Sequence, residues 1–355
     1  MLTWKKEHYM ATTIDVLACP SPERVNILLI FAVWFWYAIL RTLRIYKVDV
    51  TTIVQVKPSY DMKQLPAHTQ LERNAKQFAI SLSKWAIPFH VFILLVFALW
   101  NTDDKLGWAG HIIIHTLPLF LLVLIIASIV RNCEIIRYAV KRLPLIEPVP
   151  NQMRNVYILL SDSLTSFNRP LIDFTFFTSL LFSEPLTHFD LFLSSIPSLI
   201  RIFQCLREYK LVGARSHLGN AFKYSCNLPI LVCTWYSRAN PDIVFAKQFQ
   251  MIQIFCLLLN STYSFFWDIK MDWSLSSFVR LRPKRIVFER YIYHVAIAVN
   301  FVIRYWWIWI LFQKGAKNSV LFDEELQYLE VFRRAQWVVF KLESEYVNSP
   351  QWDKA

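Results

Sequence analysis

Glycine is scarce in this sequence, with 5 in 355 residues, and charge is thin, with Asp, Glu, Lys and Arg making up 18%. Soluble chains carry about a quarter charged residues. A large soluble α/β enzyme would also need glycines for its turns. The shortage of both argues against such an enzyme. No nucleotide-binding glycine loop, dinucleotide-binding glycine run or metalloprotease His-Glu helix is present. No local Ser and His spacing selects a catalytic triad. The 6 cysteines (Cys19, Cys133, Cys205, Cys226, Cys233 and Cys256) lack the paired spacing of a zinc site. Their expected role is that of small buried hydrophobes. Nothing in the residues calls for a cofactor or a metal. A cleavable signal peptide is not expected either. The first apolar run begins near Val25, behind the mixed segment Met1–Arg24, and ends against Arg41, Arg44 and Lys47.

Apolar residues fill the space left by charge. They make up 55% of the chain, which contains 28 Phe, 15 Tyr and 14 Trp. Long apolar runs recur at Val25–Leu40, Phe78–Trp100, Trp108–Val130, Val156–Phe182, Phe189–Cys205, Tyr224–Tyr236, Phe249–Trp267 and Tyr291–Phe312. Several approach the roughly 20 residues that cross hydrocarbon. The fold class expected is therefore all-α, a polytopic transmembrane helix bundle with eight apolar spans and a possible charged ninth. Asp323–Tyr346 is that ninth segment, and it mixes Leu326, Val331, Phe332 and Trp337 with Glu330, Arg333, Arg334, Lys341 and Glu343. It reads either as an amphipathic surface helix or, the favoured reading, as a crossing shielded from lipid by its neighbours.

The formal net charge of +12 is concentrated in short loops beside the apolar runs. Loops after the first, third, fifth and seventh spans are basic, which places them in the cytosol by the positive-inside rule. A basic face for nucleic acid is not expected. Membrane lipids are the implied surroundings. The one glycosylation sequon, Asn260-Ser261-Thr262, lies inside an apolar run and is expected to be unused.

The polar intrusions carry the functional signal, because an ionisable group inside a membrane is costly unless paired or wetted. Asp162 and Ser166 share a helical face by their spacing of four, with Asn168 following and Arg169-Pro170 disturbing regular helix. Lys223 could snorkel to headgroups or stand at a pore mouth beside Tyr224. Asp268 and Asp272, again four apart, need basic counter-charges. Arg304 lies deep in its span with Asn300 on the same face, and Arg333-Arg334 adds two guanidinium groups. Each of these also fits a purely structural role, as polar glue between helices or as a counter-ion. A set of Lys223, Arg304, Arg333 and Arg334, held by Asp162, Asp268 and Asp272, fits the coordination of an oxyanion such as phosphate.

At these residues the chain resembles the EXS-domain family of phosphate exporters, especially its short fungal Golgi type. The resemblance rests on SDSLTSFNRPLIDF, RIFQCLREYK, NAFKYSCNLPIL, YSFFWDIKMDW, IRYWW and EVFRRAQWVVFKLESEY, in that order over about Asp162–Glu345. It implies a non-enzymatic phosphate path using Lys223, Arg304, Arg333 and Arg334, with a hydroxyl contact from Tyr224. Asp162, Asn168, Asp268 and Asp272 would line or organise it. Asn168 stands where transporting relatives carry serine. The division implied is 1–155 as an N-terminal transmembrane region, 156–346 as an EXS-like transport core and 347–355 as a tail. With 24 residues before Val25, the sensory SPX domain of longer exporters is not expected. The resemblance further implies a multi-pass Golgi membrane protein that returns inorganic phosphate from the lumen to the cytosol. It connects the chain to glycosylation, retention of resident lumenal ER proteins and glycosyltransferase recycling. The competing reading is a trafficking protein that recruits Golgi glycosyltransferase-recycling factors.

Overall fold

The computed structural model describes residues 21–54, 67–102, 108–133, 136–137, 154–179, 189–239, 243–276, 281–282, 286–314 and 324–349. Cys19, Lys57, Lys63, Asp103–Lys105, Pro144, Pro148, Pro150, Arg280, Lys284 and Arg285 lie outside the described residues. Among the described residues every regular element is helical. The helices are α1 (Ser21–Ile45), α2 (Val50–Val54), α3 (Ala67–Thr102), α4 (Trp108–Asn132), α5 (Arg154–Thr165), α6 (Asn168–Ser179) and α7 (Phe189–Val212). They continue with α8 (Ser216–Ser225), α9 (Leu228–Ala239), α10 (Ile243–Trp267), a π-helical turn at Asp268–Asp272, α11 (Arg290–Lys314) and α12 (Glu324–Val347).

Local chemistry sets several boundaries. Helix α1 opens with Pro22 and Glu23 and closes on Arg44, an order that suits proline's missing N–H and the helix dipole. Helix α7 places Asp190 in its first turn and Lys210 in its last. It stops at Gly213, whose φ of 74° is the left-handed conformation that favours glycine at a C-terminal cap.

Among the described residues, five stretches are long and apolar enough to cross a membrane: Glu23–Ile45, Ala67–Ala98, Phe189–Val212, Phe249–Asp272 and Arg290–Phe312. A shorter apolar helix runs over Thr116–Asn132. Their outward faces carry Phe31, Phe92, Phe120, Phe255, Val302 and Phe312, all exposed. Helices with apolar exteriors and internally satisfied backbones are what a bilayer permits. The chain is an all-α polytopic membrane bundle.

Two of the expected single spans are instead pairs of short helices. The run beginning at Val156 divides into α5 and α6, and the run around Tyr224 divides into α8 and α9. Pro170 and Pro229 explain the breaks. Each lies in the first turn of the second helix, where its missing N–H costs nothing within that helix, and each denies a partner to the carbonyl four residues earlier. The chain tightens at both places. Phe167 N–H donates to Leu164 O at 3.0 Å and Asn227 N–H to Tyr224 O at 3.3 Å, both three residues back.

Apolar packing joins these pieces in layers. Helices α1, α3 and α4 close over Ile30, Leu82, Ala86, Ile93, Leu121 and Ile125. Within this group Glu23 is enclosed, with its carboxylate 2.5 Å from His90 Nδ1, and Asn26 donates to both Glu23 and the Pro118 carbonyl. A larger layer packs α1, α2, α5, the π turn, α11 and α12 around Trp273, Tyr293, Trp337 and Phe340. Glu343 fastens that layer by pairing with Arg282 and accepting the Tyr293 hydroxyl at 2.9 Å. Helix α12 is not a surface helix. From Leu326 to Val347 only Phe332 is exposed, so its charged residues face other helices.

Gly219 permits the close approach of α8 to α10. A Cβ there would lie 2.7 Å from Trp267 Cζ3 and 3.1 Å from Cη2. Because Gly219 precedes Lys223 by one turn and Trp267 precedes Asp268, this contact sets the spacing of the Lys223–Asp268 pair. Gly219→Val is expected to destabilise the protein by about 1–3 kcal/mol through overpacking. A lowered midpoint of thermal unfolding in detergent checks it, with Gly213→Ala as a comparison whose cost is backbone strain in open space.

Candidate functional site

Asp268 is the point on which the polar residues converge. It begins the π turn, closed by Trp273 N–H donating to Asp268 O at 2.8 Å. A π turn widens the helix and is often found at functional sites. Here it lets Asp268 and Asp272 meet the same ammonium. Lys223 Nζ lies 2.9 Å from Asp268 Oδ1 and 3.1 Å from Asp272 Oδ2. Asp268 Oδ2 pairs with the Arg304 guanidinium, and it lies 3.3 Å from Arg333 Nη1 and 3.4 Å from Asn300 Nδ2. One carboxylate therefore bridges three cations from α8, α11 and α12, and it is 0% exposed.

Further hydrogen bonds hold this arrangement. Asp272 Oδ2 also accepts Trp337 Nε1–H at 3.1 Å. Arg333 is clamped by Glu330, with contacts of 2.9 and 2.5 Å. Arg334 donates to Ser166 Oγ at 2.9 Å and Thr165 Oγ1 at 3.0 Å, and it lies over the Trp337 ring. Ser166 in turn donates to Glu330 Oε1 at 3.0 Å. The hydroxyls at the break between α5 and α6 are thus tied to the charged face of α12. Irregular backbone at membrane depth is tolerated where protein or water surrounds it, and broken helices recur at the ion sites of transporters.

A second cluster adjoins the first through α8. Tyr224 donates its hydroxyl to Asp162 Oδ1. Arg201 Nε lies 2.5 Å from the same oxygen, as an ion pair without hydrogen-bond alignment. The Arg201 guanidinium also donates to Gln204 at 2.7 Å and Ser161 at 3.3 Å, and it stands 5.0 Å from the Tyr224 ring centre. Lys223 Nζ lies 5.7 Å from that ring centre. The Lys223-Tyr224 pair joins the two clusters.

Helix α10 is fastened to α11 beside Arg304. Ser261 donates to the Arg304 carbonyl at 3.2 Å and accepts Trp307 Nε1–H at 3.0 Å, while Thr262 and Tyr305 hydroxyls lie 2.8 Å apart. Two residues of the sequon therefore serve helix packing.

Of the residues singled out from sequence, Lys223, Asp268, Asp272, Arg304 and Arg333 meet directly. Arg334 joins through Ser166 and Glu330, and Asp162 joins with Tyr224. Two details differ from expectation. Asp162 holds Arg201 rather than one of the four expected cations, and Arg334 is held by hydroxyls rather than by an aspartate. Lys223 does not snorkel: it lies in the last turn of α8 and is 5% exposed. Asn168 starts α6, half-buried, and its enclosed Oδ1 finds no hydrogen-bond partner among the described residues. Sequence reasoning passed over Arg201 and Glu330. Arg201 carried the same signal as Arg304, a guanidinium inside an apolar run, but stood close to the basic loop after it. Glu330 was legible from its spacing of three before Arg333.

Cys133, Cys205, Cys226, Cys233 and Cys256 form no disulfide among the described residues, and no cluster of His, Cys, Asp and Glu suited to a metal occurs among them.

Residues 19–347 match the EXS family. Protein ERD1 of Saccharomyces cerevisiae is 41% identical over 343 residues, covering 94% of this chain and 94% of the relative. Protein ERD1 of Kluyveromyces lactis is 29% identical over 380 residues, covering 94% and 96%. Solute carrier family 53 member 1 of Mus pahari is 32% identical over 170 residues, or 43% of this chain and 24% of that protein. The family match runs from before α1 to the last residue of α12, and the chain belongs to the EXS family.

Proposed function

We propose that this chain carries inorganic phosphate through its helix bundle, from the Golgi lumen to the cytosol. The EXS family is linked to phosphate transport, its transporters are non-catalytic, and the chain is a multi-pass Golgi membrane protein. The observation that carries the reading is the convergence of Lys223, Arg304 and Arg333 on one buried carboxylate. With the adjoining groups, Arg201, Lys223, Arg304, Arg333 and Arg334 face Asp162, Asp268, Asp272 and Glu330, one cation more than carboxylates. Lys341 lies 2.7 Å from Glu345 and 4.0 Å from Asp272, and adding this Lys341–Glu345 pair leaves the excess at one. A site with this excess favours a small anion over a cation.

Arg304 and Arg333 supply planar donor arrays suited to a tetrahedral oxyanion, and Lys223 adds a compact charge. Tyr224, Asn300 and Ser166 supply neutral polar groups for the remaining oxygens. Such groups replace the hydration shell that phosphate leaves behind, and passage requires a site that also releases its ion. Residues 156–346 contribute all of these side chains and form the transport core. In this reading the span count is eight or nine, with α5–α6 and α8–α9 each serving as one interrupted crossing and α12 as the shielded ninth. The basic residues after α1, α4, α7 and α10 then face the cytosol. Return of phosphate from the lumen would relieve a product of nucleotide-sugar reactions, supporting glycosylation and retention of resident lumenal ER proteins. The competing reading, recruitment of glycosyltransferase-recycling factors, needs no charged centre of this kind.

Arg304→Ala leaves Asp268 with Lys223 and Arg333, so the fold is expected to survive while phosphate flux in reconstituted vesicles falls about 10-fold or more. Unchanged flux in a folded variant would contradict the reading. If the function is trafficking, the same variant should bind recycling factors and retain function in cells with no dependence on flux. Tyr224→Phe removes one hydroxyl contact, with Arg201 still holding Asp162. Its expected effect is milder, about a 5-fold loss of apparent phosphate affinity, read from the concentration dependence of flux.

A further inference from the structure

The three cations best placed to bind an anion are already occupied by one. Asp268 presents Oδ1 to Lys223 and Oδ2 to Arg304, Arg333 and Asn300. Its two oxygens thus fill the donor set that a phosphate oxygen would need. The cations differ in what remains if Oδ2 leaves. Lys223 keeps Asp272, and Arg333 keeps Glu330. Among the ion pairs of the described residues, Arg304 has Asp268 alone. Its side chain, 12% exposed, is also more open than those of Lys223 at 5% and Arg333 at 2%.

We infer that Asp268 is an internal competitor for the transported anion, a tethered carboxylate that occupies the cation cluster and is displaced from Arg304 and Arg333 as phosphate enters. The inference rests on the phosphate reading above and adds to it how occupancy of the site is regulated. It follows from the split contacts: phosphate takes over the Oδ2 donors, while Oδ1 stays with Lys223. The competitor serves two purposes. Without ligand it neutralises cations that would otherwise repel one another in a buried setting. With ligand it weakens net phosphate binding, because each binding event must break carboxylate contacts, and it returns to expel the ion. A conducting site needs such moderate affinity. The π turn supplies the freedom for this movement, since its widened ladder places Asp268 and Asp272 together on Lys223.

The test is Asp268→Asn in the full chain, which keeps the size and polarity of the side chain and removes its charge. Thermal unfolding midpoints are measured for wild type and variant in detergent, with and without inorganic phosphate, using chloride at matched ionic strength as reference. Phosphate stabilises by binding the folded state. In the variant it should replace a missing counter-charge instead of displacing one. The expected result is a phosphate-dependent rise at least twice that of wild type, on the order of 5 °C or more. Flux in vesicles should also saturate at lower phosphate with a reduced maximum. A rise equal to or smaller than that of wild type overturns the inference. Recovery of folded variant from phosphate-containing buffer alone supports it, and recovery from neither buffer counts against it, since phosphate then fails to stand in for the carboxylate. The two readings fail separately. Wild-type vesicles that move no phosphate sink the phosphate reading, whereas a conducting wild type without extra stabilisation of the variant sinks only the role given to Asp268.

Discussion

Lys223, Arg304 and Arg333 share the interior of an apolar bundle with Asp268 as the one carboxylate that binds all three. Separate burial of each charge would be prohibitive, and removal of one partner from a buried pair typically costs about 3–5 kcal/mol. The arrangement makes the carboxylate the shared counter-charge of the cluster and, in the proposed reading, the occupant of its anion site. Much of the surrounding architecture serves to bring α8, α10, α11 and α12 to that single side chain.

Three backbone features meet this demand. The close approach at Gly219 lets α8 reach Trp267 and the end of α10. The π turn aims two aspartates at one lysine. The breaks before Pro170 and Pro229 place hydroxyls and the Lys223-Tyr224 pair where uninterrupted helices would present only side-chain faces. Around this polar interior, Phe31, Phe92, Phe120 and Phe255 face outward. A bilayer contributes no hydrophobic drive between such helices, so packing and interhelical hydrogen bonds must hold them. Ser261, Thr262 and Glu343 do so at sites away from the central carboxylate.

The long apolar runs made the helical membrane class legible, since length and composition alone decide it. Asp268, Asp272 and Arg304 were legible as members of a paired polar cluster because charge in an apolar run calls for a partner. The pairing pattern was less so. Spacing placed Asn300 with Arg304 on one face, but only tertiary packing brings both to Asp268. Arg201 was obscured by its basic neighbours, and the partner of Asp162 was therefore misassigned. The interrupted helices were half legible. Arg169-Pro170 signalled a disturbance, while Pro229 was hidden in an apolar run whose hydropathy reads through the break. The charged helix α12 was ambiguous because its sequence suits either a surface or an enclosed position, and burial by neighbouring helices excludes the surface.

The cluster in which Arg201, Lys223, Arg304, Arg333 and Arg334 face Asp162, Asp268, Asp272 and Glu330 is the anion site proposed above, and the family is linked to phosphate transport. The most direct test of that central claim is uptake of radiolabelled inorganic phosphate by vesicles containing only the purified wild-type chain, under an imposed phosphate gradient. The account predicts saturable uptake that runs down the gradient and is absent from protein-free vesicles. Folded, inserted protein that leaves phosphate uptake at the protein-free level would contradict it.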